Sequence, residues 1–411
     1  ELKIKNGKVR PLTPLFLRAK KHIELNLWKK EFNDSVYDKY KFPFSFYGVK
    51  KTLISLFILL LIQLYASRKG LARLIKKINN QERKNSRYEF CKKQLLENKP
   101  QIVFCSNQRN SQAISAILAA RDLGIKTVCF IQSWDNVPKA MNVYEADYYI
   151  VWSNLMKKEL LQYYPLINET QVFVTGTPQF ESNFNESLAL CRTTFFHEHN
   201  LDANKKYICY SGDDFTTSPL DQFYLEDLCK AVRELNMQGE NLGIIYRRCP
   251  FDSSDRYDFV LDQNKDIVQA IDPLWKKIHG VGDLMPLRED AQMWYNICEH
   301  SEMVVNICST TIFDFVTHNK PCIYLNYEQP QLKKGIRDIG QNYDYVHFRS
   351  MPSKEAAVFC TSKEQLKGQL KKVLYGEVSN VGECKRWFNI VAGKEPEIAS
   401  EKIWEVFNQL I

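Results

Sequence analysis

The chain has 411 residues, 45% hydrophobic and 25% charged, with 16 Gly and 15 Pro. That is globular composition, long enough for two or three domains, and it excludes a collagenous, low-complexity or disordered chain. The net charge of +8 is unevenly spread: residues 1–100 hold 24 Lys and Arg against 8 Asp and Glu, a surplus of sixteen, so the other 311 carry −8.

Such an asymmetry marks a face that meets polyanions, either an anionic membrane surface or nucleic acid. No zinc-finger spacing and no RNP-type aromatic signature accompanies the basic residues, so nucleic acid is not the expected partner. Residues 1–98 read as mostly helical, with an aromatic, Pro-punctuated link at 41–47. Their most apolar stretch is LISLFILLLIQLYA at 53–66, with Lys50 and Lys51 before it and Arg68, Lys69, Arg73, Lys76 and Lys77 after it. As a helix it reaches about 21 Å, short of a hydrocarbon core of about 30 Å. Two readings fit: a buried core helix with solvated ends, or an interfacial helix held by anionic headgroups, the reading the basic surplus favours.

After Pro100 short apolar runs alternate with amphipathic ones: QIVFCS, a helix over 111–124, TVCFIQ, YYIVW, a helix over 154–164, and QVFVTG. Strands that scarcely alternate with polar residues, on a β-α-β rhythm, predict a parallel sheet covered on both faces. A polar stretch at 181–206 breaks the rhythm, and a second series follows. It runs YICYSG, a helix over 220–237, LGIIYRR, a helix over 289–300, MVVNIC, a helix over 310–319 and PCIYLNY, with closing helices over 363–374 and 396–410. The expected fold class is therefore α/β with two doubly wound parallel-sheet domains facing a cleft. The expected domains are 1–185, a second over 186–395 and a C-terminal helix over 396–411. The twelve cysteines contain no C-x-x-C pair and sit mostly inside apolar runs, so they read as buried thiols in a reducing compartment.

In such sheets ligands sit beyond the carboxyl ends of strands, and those ends supply the candidate residues. Ser309, Thr310 and Thr311 stand between MVVNIC and a helix, where hydroxyls and free amides suit a phosphate or diphosphate; Thr311 with Asp314 also has the spacing of a capping box. LGIIYRR ends in Arg247 and Arg248, which alternation points to opposite faces, so one can grip phosphate while the other pairs structurally. YICYS ends in Ser211 and Gly212, before Asp213 and Asp214. TVCFIQ runs into Ser133, Trp134, Asp135 and Asn136, making Asp135 a candidate general base or an Asx-turn residue. His197, His199, His318 and His347 have no metal-ligand spacing, and neither a Walker A sequence nor G-x-G-x-x-G is present.

The runs Gln132-Ser-Trp-Asp-Asn136, Asp147-Tyr-Tyr-Ile-Val-Trp152 and Val174-Thr-Gly-Thr-Pro-Gln-Phe180 resemble the N-terminal half of bacterial GT-B glycosyltransferases of surface polysaccharide and glycolipid synthesis. The runs over 301–315, Lys320-Pro321 and Tyr343-Asp-Tyr-Val-His347 are similar to their donor-binding half. The same fold houses nucleotide-sugar 2-epimerases and CDP-glycerol glycerophosphotransferases. The resemblance implies a metal-independent transferase that takes a nucleotide-sugar, a UDP-sugar, as substrate with no further cofactor. Ser309, Thr310 and Thr311 would hold the diphosphate, Asp314 would steady that loop or reach the donor, Arg248 would neutralise phosphate, and Asp135 would be the base. It further implies a lipid-linked or glycan acceptor and a cytoplasmic location, peripheral on the inner membrane face. One departure stands out: GT-B N-terminal domains open with a strand and a Gly-rich loop, and residues 1–98 contain no such opening, so it either precedes Glu1 or has been replaced. A CDP-glycerol glycerophosphotransferase-type or nucleotide-sugar 2-epimerase-type enzyme on the same fold, or a nucleotide-binding relative without catalysis, is the alternative.

Overall fold

The computed structural model describes residues 9–277, 284–332 and 338–411, which form two compact units. The first comprises the chain up to Thr177 together with Val391–Lys394 and Ile398–Ile411; the second comprises Pro178–Ile390 with Glu395–Glu397.

The first unit opens with four helices, α1 (Thr13–Phe32), α2 (Val49–Leu64), α3 (Arg68–Glu82) and α4 (Ser86–Asn98). Their ends follow local chemistry. Pro14 stands in the first turn of α1, and the Ser67 and Asn85 side chains cap α3 and α4 by accepting backbone N–H groups. Left-handed residues Asn33 and Lys99 close α1 and α4. Helices α1 to α3 share a small core of Phe16, Ala19, Ile23, Ile58, Leu61, Leu74 and Ile78. A parallel sheet follows, from β1 (Ile102–Cys105), β2 (Lys126–Phe130), β3 (Tyr148–Val151) and β4 (Val172–Val174), with α5 (Ile114–Asp122) and α6 (Asn154–Tyr163) as crossovers. Its strand order is β1-β2-β3-β4, with no reversal. No helix among the described residues is long and apolar enough to cross a membrane.

The second unit contains α7 (Arg192–Glu198), β5 (Lys206–Ser211), α8 (Asp221–Met237), β6 (Leu242–Arg247), α9 (Asp258–Gln263) and β7 (Val268–Ala270). An antiparallel pair, β8 (Trp275–Lys277) and β9 (Leu284–Pro286), comes next. Then come α10 (Arg288–His300), β10 (Ser301–Asn306), α11 (Thr311–Thr317), β11 (Cys322–Leu325), β12 (Val358–Cys360), α12 (Lys363–Leu374) and α13 (Val381–Ala392), whose last residues join the first unit. The six-stranded sheet is parallel throughout, in the order β12-β11-β10-β5-β6-β7. Chain order therefore runs one way from β5 to β7 and the other way from β10 to β12. Strands β5, β6, β10 and β11 are buried almost end to end, as sheets covered on both faces require. Gly243 belongs to this packing: a Cβ there would lie 2.5 Å from the ring of Tyr207, its partner on β5. The last helix, α14 (Ala399–Leu410), belongs to the first unit. There Phe407 meets Phe104 of edge strand β1 edge-on at 5.0 Å, and Lys126 donates to the Leu410 carbonyl.

The strands and helices expected from the apolar rhythm are present. Strands β7, β8, β9 and β12 were not expected from it; each has three residues, too few to display a period. All twelve cysteines are thiols, eight of them buried.

Candidate functional site

The second sheet reverses its strand order between β5 and β10. At such a point the connections from adjacent strands leave in opposite directions, opening a crevice beyond the carboxyl ends. Strand β5 ends there in Ser211, followed by Gly212 and Asp213, and β10 ends in Asn306, followed by the segment 307–311 that leads into α11. Tyr210 pairs with Val305, so the two carboxyl ends lie side by side. Of the residues singled out in the sequence, Ser211, Gly212, Ser309, Thr310 and Thr311 are thus brought to one place.

The segment after β10 is braced from below. Cys308 takes a left-handed backbone, φ 46°, and its N–H donates to the Tyr343 hydroxyl at 3.1 Å. The Tyr324 hydroxyl donates to the Ser309 carbonyl at 2.8 Å. Asn306 holds both sides of the turn, accepting from the Ser309 N–H at 3.2 Å and donating to the Thr311 hydroxyl at 2.9 Å. Thr310 is the residue left over. It is the N-cap of α11 yet makes no side-chain cap bond, and its N–H and hydroxyl have no hydrogen-bond partner among the described residues. The neighbouring Thr311 and Ile312 amides have only long contacts of 3.4 Å to Ser309. Thr310 and Thr311 are half-buried, and their donors are what a phosphate would use.

The capping box spaced by Thr311 and Asp314 does not form. Asp314 lies 8% exposed and accepts from the Asn183 amide at 2.9 Å and from Trp294, tying α11 to the 178–184 turn. Burial pushes its carboxyl up to about 6, against the lowering effect of those two hydrogen bonds.

The two arginines at the end of β6, Arg247 its last residue and Arg248 the next, divide as alternation requires. Arg247 is buried and donates to Asp290 at 2.6 Å, an ion pair that Asp290 completes by accepting from the Leu274 amide and the Trp275 indole. Arg248 is half-buried, donates to the Ser254 carbonyl at 2.7 Å and lies 3.4 Å from Asp272. It follows β6, the strand beyond β5, rather than the reversal itself.

Gly212 has a packing reason: a Cβ there would stand 3.1 Å from the Tyr246 ring and 3.2 Å from the Tyr257 hydroxyl. Beside it the Asp213 carboxyl is held well above the usual range by burial and by the Asp221 and Asp214 carboxylates. Arg256, not singled out in the sequence, ties this turn together, donating to the carbonyls of Asp213 at 2.6 Å and Ser218 at 2.5 Å and to the Asp252 carboxylate at 2.7 Å. Its signal was weak, a lone arginine in a polar loop.

No protein-family model matches this chain, and no curated protein matches it. Solved structures do. A candidate UDP-N-acetylglucosamine 2-epimerase from Listeria monocytogenes superposes with a TM-score of 0.51 at 13% identity, covering 82% of this chain and 80% of that one. Staphylococcus aureus MnaA with UDP gives 0.50 at 15% identity, over 82% of each chain. A further UDP-N-acetylglucosamine 2-epimerase gives 0.50 at 13% identity, over 95% of this chain and 92% of that one. The fold is GT-B, built from two Rossmann-like units, as the sequence led us to expect.

Within the first unit the fourth candidate group lies in the loop after β2. The Asp135 carboxylate accepts from the Ser133 hydroxyl and the Asn136 amide, each at 2.6 Å, and forms an ion pair with Lys139. Both of these hydrogen bonds run from side chain to side chain within the loop. The same loop meets a polar row on α1 that the sequence did not disclose. Lys20 is buried and donates to Glu24 at 2.6 Å and to the Asn142 carbonyl at 2.7 Å. Burial, then the Lys139 and Arg109 charges, lower the Lys21 ammonium to about 8. Glu159 of α6 is buried with one carboxylate oxygen lacking a hydrogen bond, and burial, helped by Asp135, pushes it up to about 8. Among the described residues no three His, Cys, Asp or Glu side chains gather as a metal site would require.

Proposed function

We propose that this chain binds a nucleotide-sugar at the β5/β10 reversal, with the diphosphate against Ser309, Thr310 and Thr311, and transfers the sugar to a lipid-linked or glycan acceptor. The observation that carries the reading is the juxtaposition at the reversal: two strand ends side by side, with the unbonded Thr310 N–H and hydroxyl at the mouth of one of them. Hydrogen-bond donors preset at that position stabilise the departing nucleoside diphosphate in its charged form. Arg248 would be an outer contributor of positive charge, since it is already engaged by Ser254 and Asp272. Asp135, as the acceptor-side base, would have to give up its contact with Lys139 when the acceptor hydroxyl arrives.

A second reading, epimerisation at C2 of the sugar, is favoured by the names of the matching structures, which are UDP-N-acetylglucosamine 2-epimerases. Two experiments separate the possibilities. Calorimetry with UDP and a panel of UDP-sugars is expected to give binding that falls at least tenfold in Ser309→Ala/Thr310→Ala with circular dichroism unchanged; equal affinity in the variant would refute the site. Product analysis with donor alone then distinguishes the chemistries, because an epimerase converts the donor without an acceptor whereas a transferase leaves it intact apart from slow hydrolysis.

A further inference from the structure

Helix α2 is apolar almost all round, VKKTLISLFILLLIQL, a composition normally found in a helix covered on every side. Here the described residues cover only one side. Ser55, Ile58 and Leu61 are buried, Ile58 and Leu61 in the core shared with α1 and α3, while Val49, Leu53, Leu56, Leu60 and Leu64 form a stripe on the opposite side, each more than half exposed. The aromatic residues leading into the helix continue it, with Phe46 57% and Tyr47 85% exposed. A contiguous apolar patch of this kind marks a surface that is covered in use.

Charge identifies what covers it. Exposed Lys50 and Lys51 stand at the start of the helix and Arg68 and Lys69 just beyond its end. On one flank lies a groove of about 540 Å³ whose floor includes Phe16 and Phe57 and whose rim carries Arg73, Lys76, Lys77 and Lys84, with no acidic residue lining it. The Lys77 ammonium lies 5.2 Å from the centre of the Phe16 ring. Phe57 belongs to α2 itself, so stripe and groove form one continuous surface that is oily at its centre and cationic around it. A protein partner would have to match both features; a bilayer containing anionic lipid presents both as a matter of course. At 16 residues, α2 is too short to span a bilayer.

We propose that α1, α2 and α3 form a docking module for anionic phospholipid bilayers, in which the α2 leucines enter the boundary between headgroups and acyl chains and the groove cations seat lipid phosphates. The test is flotation of the full chain with vesicles of phosphatidylcholine alone or mixed in equal parts with phosphatidylglycerol. Wild type partitions into the mixed vesicles, and added salt weakens the binding. Leu56→Glu/Leu60→Glu, at exposed sites that leave the helix core intact, lowers partition into both vesicle types at least tenfold. Arg73→Glu/Lys76→Glu lowers it for the mixed vesicles and abolishes the preference for anionic lipid. Equal partition of wild type and both variants overturns the proposal. So does a wild-type dimer, seen by sedimentation, that the leucine variant dissociates while vesicle binding is absent. Circular dichroism of each variant excludes loss of folding as the cause.

Discussion

Asp314→Asn tests whether the carboxyl beneath the candidate site is as strained as its surroundings imply. The group binds its proton at about 6 in the fold against 3.8 ordinarily, so keeping it ionised costs the fold about 3 kcal/mol above pH 7. This stability is present below the unfolded value and is lost as pH rises through the folded one. Asparagine removes the charge but keeps one acceptor oxygen for two donors, the Asn183 amide and the Trp294 indole, at a loss of about 1 kcal/mol. The net gain at pH 8 is about 2 kcal/mol and falls by a similar amount at pH 4.5, where the wild-type carboxyl is protonated. For a unit of about 200 residues, 2 kcal/mol corresponds to a rise of roughly 4–8 °C in melting temperature. Thermal melts of both chains across pH 4.5 to 8 give the result directly. A difference independent of pH, or a variant less stable at pH 8, would show that Asp314 is not held as a costly buried anion.

Other consequences are equally specific. Glu159→Gln should stabilise the chain by about 3 kcal/mol at pH 7 and by under about 1 kcal/mol at pH 5, because the wild-type carboxyl titrates at about 8 in the fold and at 4.5 ordinarily; melts at the two pH values check it. Arg247→Met should cost about 3–5 kcal/mol by leaving the buried Asp290 charge without its cation, and adding Asp290→Asn should recover part of that loss in the same melts. Gly212→Ala should cost about 1–3 kcal/mol through overpacking against Tyr246 and Tyr257; no change in melting temperature would mean that those rings move aside freely.

Much of the fold was legible because buried parallel strands announce themselves as unbroken apolar runs. YICYS, LGIIY, MVVN and CIYL were readable for that reason, and the segments between them read as helices. The reversal between β5 and β10 was not legible, since the order of strands across a sheet is set by which faces the crossovers choose. The hydroxyl run at 309–311 could be found as a strand end, but its position beside Ser211 depends on that order. Alternation showed that Arg247 and Arg248 part company; which of them turns inward depended on Asp290, more than forty residues away. Lys20 and Glu24 have the spacing of an ordinary surface ion pair, and nothing local says that the loop after β2 covers them. The 53–66 run read as either a core or an interfacial helix, with the basic surplus favouring the second; the fold buries Ile58 and Leu61 and leaves Leu56 and Leu60 about half exposed.

The central claim is that a nucleotide-sugar seats its diphosphate at the strand reversal of the second unit. Hydrogen exchange read by mass spectrometry, with and without a saturating UDP-sugar, tests it most directly. Exchange is expected to slow in the peptide spanning Asn306–Phe313 and in the one spanning Ser211–Asp214, with both effects lost in Ser309→Ala/Thr310→Ala. Binding that protects other segments and leaves these two unchanged would contradict it.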